Sequence, residues 1–100
     1  MTTDLHSLKI KAVQTVFSIK EFSPSEREYR PSIEFAREYN RFRNMVAAAY
    51  PPGVNLLPPT VEVPESGSSP LSACSYGEFM IYYNQMIGLL ARWSSEVERR

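Results

Sequence analysis

The chain has few of the residues that commonly build reactive or metal-binding sites. Cys74 is the single cysteine and His6 the single histidine among 100 residues. One cysteine cannot form an intramolecular disulfide, and structural zinc sites usually show pairs of Cys or His ligands at short intervals. The sequence therefore predicts no disulfide framework, no metal site and no cofactor.

Long hydrophobic runs are also missing. The longest proline-free apolar stretch, residues 79–91, is interrupted by Asn84 and Gln85, and it is shorter than the ~20 residues of a transmembrane helix. Residues 1–6 lack the basic and apolar regions typical of a secretory signal. We therefore expect a soluble, cytoplasmic protein that is not inserted in a membrane.

The chain has no excess of charge of either sign. Its 11 basic and 11 acidic residues give a formal net charge of zero. A domain that attracts nucleic acid or an anionic membrane through its overall field is net basic, so binding of that kind would have to be local. Hydrophobic residues make up 43% of the chain and charged residues 22%, as in ordinary folded domains. At this length residues 1–100 should form a single domain with one core.

Motifs of catalysis are absent as well. The chain has no glycine-rich phosphate loop, no Walker-type lysine and no nucleophile elbow. Its acidic residues mostly stand beside arginines, which is typical of surface ion pairs. Cys74 precedes a predicted helix start, where the helix dipole lowers a thiol pKa, but no base accompanies it in the sequence. We expect a protein that is not an enzyme.

The first of three predicted helices covers residues 4–22, which contain no Gly, Pro or Asn. An apolar line at helical spacing runs along this segment: Leu5, Leu8, Ala12, Val16 and Ile19. Its β-branched residues leave an alternative open, an α+β fold with an N-terminal strand. We favour the helix because only residues 60–63 resemble a partner strand.

The second predicted helix opens with a capping box formed by Ser23, at the N-cap, and Glu26 three residues later. Pro24 occupies the first helical position, where proline is favoured. Pro31 should kink or restart this helix, because proline cannot donate a hydrogen bond to the preceding turn. The main body runs from about Ser32 to Tyr50. The expected architecture is mainly α, three helices with a kinked second one.

A Pro- and Ser-rich loop, residues 51–74, separates the second and third helices. It is much longer than the ~4–6 residues of a typical connection, so it allows either parallel or antiparallel packing of the two helices. Its first half could lie across the helices as a strap, and residues 65–69 should be mobile. The apolar residues of the strap are these: Val54, Leu56, Leu57, Val61 and Val63.

The third predicted helix, which begins with a Ser75–Glu78 capping box, has an apolar stripe about half a circumference wide. Such a helix needs two neighbours, and in a short chain the second could be another molecule. The stripe could be core, a protein interface or a ligand pocket, since aromatic residues dominate all three. We predict a non-catalytic protein–protein interaction module (an adaptor, assembly factor or regulatory subunit) that forms a homodimer through this amphipathic helix. The predicted interface residues are Phe79, Tyr82, Tyr83, Met86, Leu90 and Trp93.

A nucleic-acid-associated protein is the alternative from another class. Arg30, Arg37 and Arg41 share one predicted face of the second helix, with aromatic residues among them in sequence. Glu34 and Glu38 lie on the same face at ion-pair spacing. The glutamates should neutralise much of this positive charge, which makes the alternative the weaker of the two.

Overall fold

A computed structural model describes residues 4–63 and 71–98. The predicted mainly α, three-helix fold is confirmed. The main helices are α1 (Leu5–Lys20), α2 (Ile33–Ala49) and α3 (Tyr76–Glu98), and short 3-10 helices occupy Glu26–Glu28 and Pro51–Leu56. The Ser-rich patch whose mobility the sequence predicts lies outside the described residues.

The N-terminal segment is a helix, as favoured, and not the alternative strand. Asp4 caps α1, and its Oδ1 accepts a hydrogen bond from the backbone N–H of His6 at 3.1 Å. The predicted apolar line is the side of the helix that is buried. Residues 60–63 are extended, but they pair with side chains of α2 and with no strand in the described part of the chain.

The predicted kinked second helix is two separate elements. The capping box forms, since Ser23 Oγ accepts from the N–H of Glu26 and Glu26 Oε1 accepts from the N–H of Ser23, both at 3.2 Å. Only the Glu26–Glu28 3-10 helix follows, and the chain is extended at Tyr29. Proline disfavours helical geometry in the residue before it, so α2 begins only after Pro31, with Ser32 at its N-cap position.

Helices α2 and α3 run parallel and meet through aromatic rings. Phe35 lies against Tyr76 and Phe79 near the start of both helices, and Phe42 faces Tyr83 further along. Ring centroids in the six contacts between these helices are 5.0 to 5.7 Å apart, and each such pair contributes about 0.5–1.5 kcal/mol beyond its area burial. The rings joining the two helices are Phe35, Tyr39, Phe42, Tyr76, Phe79, Tyr82 and Tyr83. We call this set the aromatic ladder.

Parallel packing explains the long connection. Two parallel helices can be joined only if the chain returns along the first, and the 17 residues of α2 span about 25 Å. After the Pro51–Leu56 3-10 helix, residues 57–63 run back along α2. Arg43 Nε donates to the carbonyl of Pro58 at 3.1 Å, at the upper end of this return path.

Side chains of α2 hold the returning segment by its backbone. Asn40 makes two hydrogen bonds with Val61, donating from Nδ2 to the carbonyl and accepting at Oδ1 from the N–H, both at 2.8 Å. The hydroxyl of Tyr39 donates to the carbonyl of Pro59 at 2.7 Å. Leu57 and Val61 are buried against the core, so residues 57–63 form a strap as predicted. Val54 and Leu56, which were expected in the strap, lie exposed in the Pro51–Leu56 3-10 helix instead.

The start of α3 is tied to the connector that precedes α2. The backbone N–H of Ser72 donates to the carbonyl of Pro31 at 2.8 Å, and that of Tyr76 donates to the carbonyl of Tyr29 at 2.9 Å. The Ser75–Glu78 capping box forms as predicted. These bonds align the first turns of α2 and α3 and so set the register of the aromatic ladder.

Helix α1 runs antiparallel to α3 and covers its other side. Phe22, just after α1, makes an edge contact of 4.9 Å with Tyr76 at the start of α3. The backbones of α1 and α3 approach each other over a longer stretch than any other helix pair, and the fully buried Ala12 leaves room for this approach. Helix α3 therefore has both of the neighbours that its apolar stripe requires.

Trp93 closes the far end of the core. Its indole stacks on Tyr50 with centroids 4.7 Å apart and ring planes inclined by 13°, and the hydroxyl of Tyr50 donates to Glu96 at 2.9 Å. Gly53 passes directly over the indole, where an added Cβ would lie 2.1 Å from Cζ2 of Trp93. Only glycine fits at this position.

Alanine substitutions at Gly53 and at Gly88 should change the free energy of unfolding in opposite directions. Gly53→Ala forces a rigid, buried indole to move, and overpacking of this kind costs about 1–3 kcal/mol. Gly88 lies in the middle of α3 with nothing within 4 Å of an added Cβ, so Gly88→Ala should stabilise by about 1 kcal/mol. Urea unfolding of both variants checks this, and an unchanged free energy of unfolding in Gly53→Ala would contradict the packing described.

Loss of the Asn40 carboxamide should release the strap. Asn40→Ala leaves the N–H and C=O of Val61 without their partners, at a cost of about 1–3 kcal/mol. Asn44→Ala is the matched control, because Asn44 is exposed one turn further along the same helix. Hydrogen exchange at the Val61 amide should accelerate in Asn40→Ala alone. Equal exchange rates in the two variants would show that the carboxamide does not hold the strap.

Candidate protein-interaction surface

The predicted interface residues of the third helix lie in the core. Five of the six are buried, and Tyr82 is partly buried against the same cluster. The two neighbours of α3 come from the same chain, as α1 on one side and α2 with the strap on the other. The five buried residues are Phe79, Tyr83, Met86, Leu90 and Trp93. They stabilise the fold and are not available to a partner, which corrects the expected place of the interface.

The chemistry of the core matches a structural role. Burial, together with the nearby carboxylate of Glu38, raises the pKa of Tyr83 to about 12. Burial also raises the pKa of Tyr39 above its ordinary value, and the neighbouring phenol of Tyr82 adds to this. The pKa of Cys74 is raised as well, by burial and then by Glu78. The thiol and the two phenols therefore stay protonated near neutral pH.

The predicted basic face does not form as expected. Arg37 Nη1 pairs with Glu34 at 2.6 Å, and Arg41 Nη1 pairs with Glu38 at 2.8 Å. Arg30 lies outside α2, in the connector before Pro31. The three arginines therefore do not share one helix face, and two of them are neutralised by their own glutamates. The nucleic-acid alternative loses the local excess of charge on which it depended.

No group of three or more His, Cys, Asp or Glu residues within 4–63 and 71–98 is placed to hold a metal ion. None of the helices in the same ranges combines the length and hydropathy needed to cross a bilayer.

Exposed apolar side chains are found instead on α1. Ile10, Val13 and Phe17 are 46%, 42% and 65% exposed. Their spacing of three and four residues places them on one side of α1, next to its buried line. The apolar arc of α1 is therefore wider than the contact with α3 covers. We call these three residues the outer ridge.

Two neighbouring hollows lie beside the outer ridge. The first, of about 200 Å³, lies between α1 and α3, and the second, of about 440 Å³, lies between α3 and the Pro51–Leu56 3-10 helix. Asn84 lines both hollows, so they adjoin on the outward side of α3. The first is lined by Val13, Val16, Phe17, Lys20, Asn84 and Ile87. The second is lined by Leu56, Asn84, Gln85, Gly88, Leu89 and Arg92.

The charged side chains within α1 are all basic. Helix α1 contains Lys9, Lys11 and Lys20 and no acidic residue. Lys11 lies over the ring of Phe42 at 6.0 Å, on the opposite side of α1 from the ridge. The ion pairs recorded among the described residues all use arginines of α2 and α3. Lys9 and Lys20, at the border of the ridge, take part in none of these ion pairs.

The spacing of apolar residues in the sequence already predicts the outer ridge. The β-strand alternative for residues 4–22 fails at Val13, where an apolar residue breaks the alternation. On a helix the same residue falls in line with Ile10 and Phe17, beside the buried stripe. A helix with an apolar arc wider than one neighbour can cover predicts an exposed apolar edge.

No protein-family model, no curated protein and no solved structure matches the chain.

Proposed function

We propose that the protein is a non-catalytic interaction module, acting as an adaptor, assembly factor or regulatory subunit, and that it binds its partner through the outer ridge of α1. The observation that carries this proposal is the exposure of Ile10, Val13 and Phe17 on one helix side, next to two hollows. Contiguous exposed apolar groups rimmed by polar residues are typical of protein-binding surfaces.

Phe17 is the central element of the proposed surface. It keeps 65% of its surface exposed and also lines the hollow between α1 and α3. Aromatic residues are enriched among the side chains that dominate binding energy, especially beside pockets that exclude water. The polar side chains that line the hollow beside Phe17 are those of Lys20 and Asn84, and they supply part of a polar rim.

A photo-crosslinking experiment tests the proposal. Replacement of Phe17 by p-benzoylphenylalanine, in cells that make the protein, should give one discrete adduct on irradiation. Tyr29 is the matched control, because its aromatic side chain is also 65% exposed but lies in the connector after α1 and lines neither hollow. The same replacement at Tyr29 should not give that adduct.

Val13→Gln supplies the second arm of this test. It removes an apolar neighbour of position 17 at the surface, so the adduct yield should fall by roughly tenfold if the lost contact is worth about 1.4 kcal/mol. An adduct pattern shared by positions 17 and 29, or no adduct at either, would contradict binding through α1. An adduct of twice the chain mass of 11.4 kDa would identify the partner as a second copy.

A further inference from the structure

The charge around the outer ridge indicates what kind of partner fits it. Lys20 lines the first hollow, and Lys9 lies three helical turns away on the same side of α1, at a distance of about 16 Å along the helix axis. Lys20 lines the first hollow and Arg92 lines the second, and neither lining contains an acidic residue. Arg92 pairs with Glu96 at 3.7 Å, so the uncompensated charge comes from α1. Glu21, beyond the end of α1, is the nearest acidic residue in sequence to the ridge.

The outward side of α3 forms the floor of a groove that a partner can enter. Ile81, Asn84 and Gly88 follow one another at three- and four-residue spacing, and all three are exposed. An added Cβ on Gly88 would meet no atom within 4 Å, so no internal contact requires a glycine here. A glycine in the floor of a groove allows another backbone to approach closely. The groove between the ridge and the Pro51–Leu56 3-10 helix is therefore open along α3.

We infer that this groove binds an acidic amphipathic helix of another protein, with apolar side chains in the two hollows and carboxylates facing Lys9 and Lys20. The inference rests on the proposed function and names the chemistry of the partner. Binding of an amphipathic helix in an apolar groove is a common mode of recognition, and complementary charge selects the partner and sets its register.

A second copy of this chain is the weaker occupant. In a two-fold symmetric contact between two ridges, each α1 faces the other, so Lys9 and Lys20 of one copy oppose lysines of its partner. Like charges placed together at an interface are unfavourable. An anionic lipid surface would meet the lysines, but it would leave the two hollows unfilled.

Selection from a displayed library of helical peptides tests this directly. The library carries a fixed leucine stripe over about five turns of helix, and the flanking positions are randomised among Glu, Gln and Lys. Selection on the intact wild-type chain should enrich Glu over Lys at positions that reach Lys9 and Lys20 by roughly tenfold, equivalent to about 1.4 kcal/mol.

Two variants serve as controls. The double variant Lys9→Gln with Lys20→Gln should bind helical peptides with no preference for Glu, because it keeps the ridge and loses the charge. Gly88→Gln should lose binding, since its side chain fills the second hollow at an exposed position where nothing in the chain is displaced. Circular dichroism confirms that each variant folds.

The remaining outcomes overturn the inference and leave the proposed function to its own test. No enrichment of any peptide, or enrichment of Lys at the flanks, excludes an acidic helix even if position 17 crosslinks a protein in cells. Binding of phosphatidylserine vesicles without peptide enrichment assigns the surface to lipid. An adduct of twice the chain mass together with no peptide enrichment assigns it to a second copy.

Discussion

The parallel packing of α2 on α3 through the aromatic ladder is the constraint on which the rest of the fold depends. Bulky rings at matching heptad spacing hold the two helices side by side, with Phe35 near Phe79 at one end and Tyr50 on Trp93 at the other. Parallel neighbours cannot be joined by a short turn. The chain must return along α2, and this explains the length of the connection.

The return path is held by hydrogen bonds to its backbone and by the burial of Leu57 and Val61. Asn40 satisfies both backbone groups of Val61, and Tyr39 takes part in the ladder while its hydroxyl binds the carbonyl of Pro59. The same α2 residues therefore stabilise the helix pair and the strap. Helix α1 on one side and α2 with the strap on the other cover the buried residues of the α3 stripe, whereas Ile10, Val13 and Phe17 of α1 stay exposed.

Local signals in the sequence were sufficient for α1 and α3 but not for the start of α2, which is expected at Ser23 and lies at Ile33. The Ser23–Glu26 and Ser75–Glu78 capping boxes both form as their spacing predicts. The break at Pro31 was predicted as a kink or a restart, and the restart forms because the residues before the proline are extended. Helix direction could not be predicted, because a long loop permits both arrangements and only the ring contacts distinguish them.

Which apolar side chains stay exposed was harder to predict than the fold. Trp93 and Tyr83 are among the largest side chains of the α3 stripe, and nothing local to α3 tells whether their neighbours come from the same chain or from another. The answer depends on the strap and on α1, which contact α3 from distant parts of the sequence. The buried line of α1 is complete without Phe17, so nothing in that line predicts a role for this residue. Its helical spacing from Ile10 and Val13 nevertheless places the three side chains together.

The central claim is that one chain covers the apolar stripe of α3 by itself. The most direct measurement is the absolute mass of the Phe17→Gln variant, by light scattering behind gel filtration at several concentrations, since this substitution weakens the outer ridge and leaves the core unchanged. The account predicts 11.4 kDa at every concentration. A stable dimer in this variant would mean that α3 takes a neighbour from a second chain, and it would contradict the account.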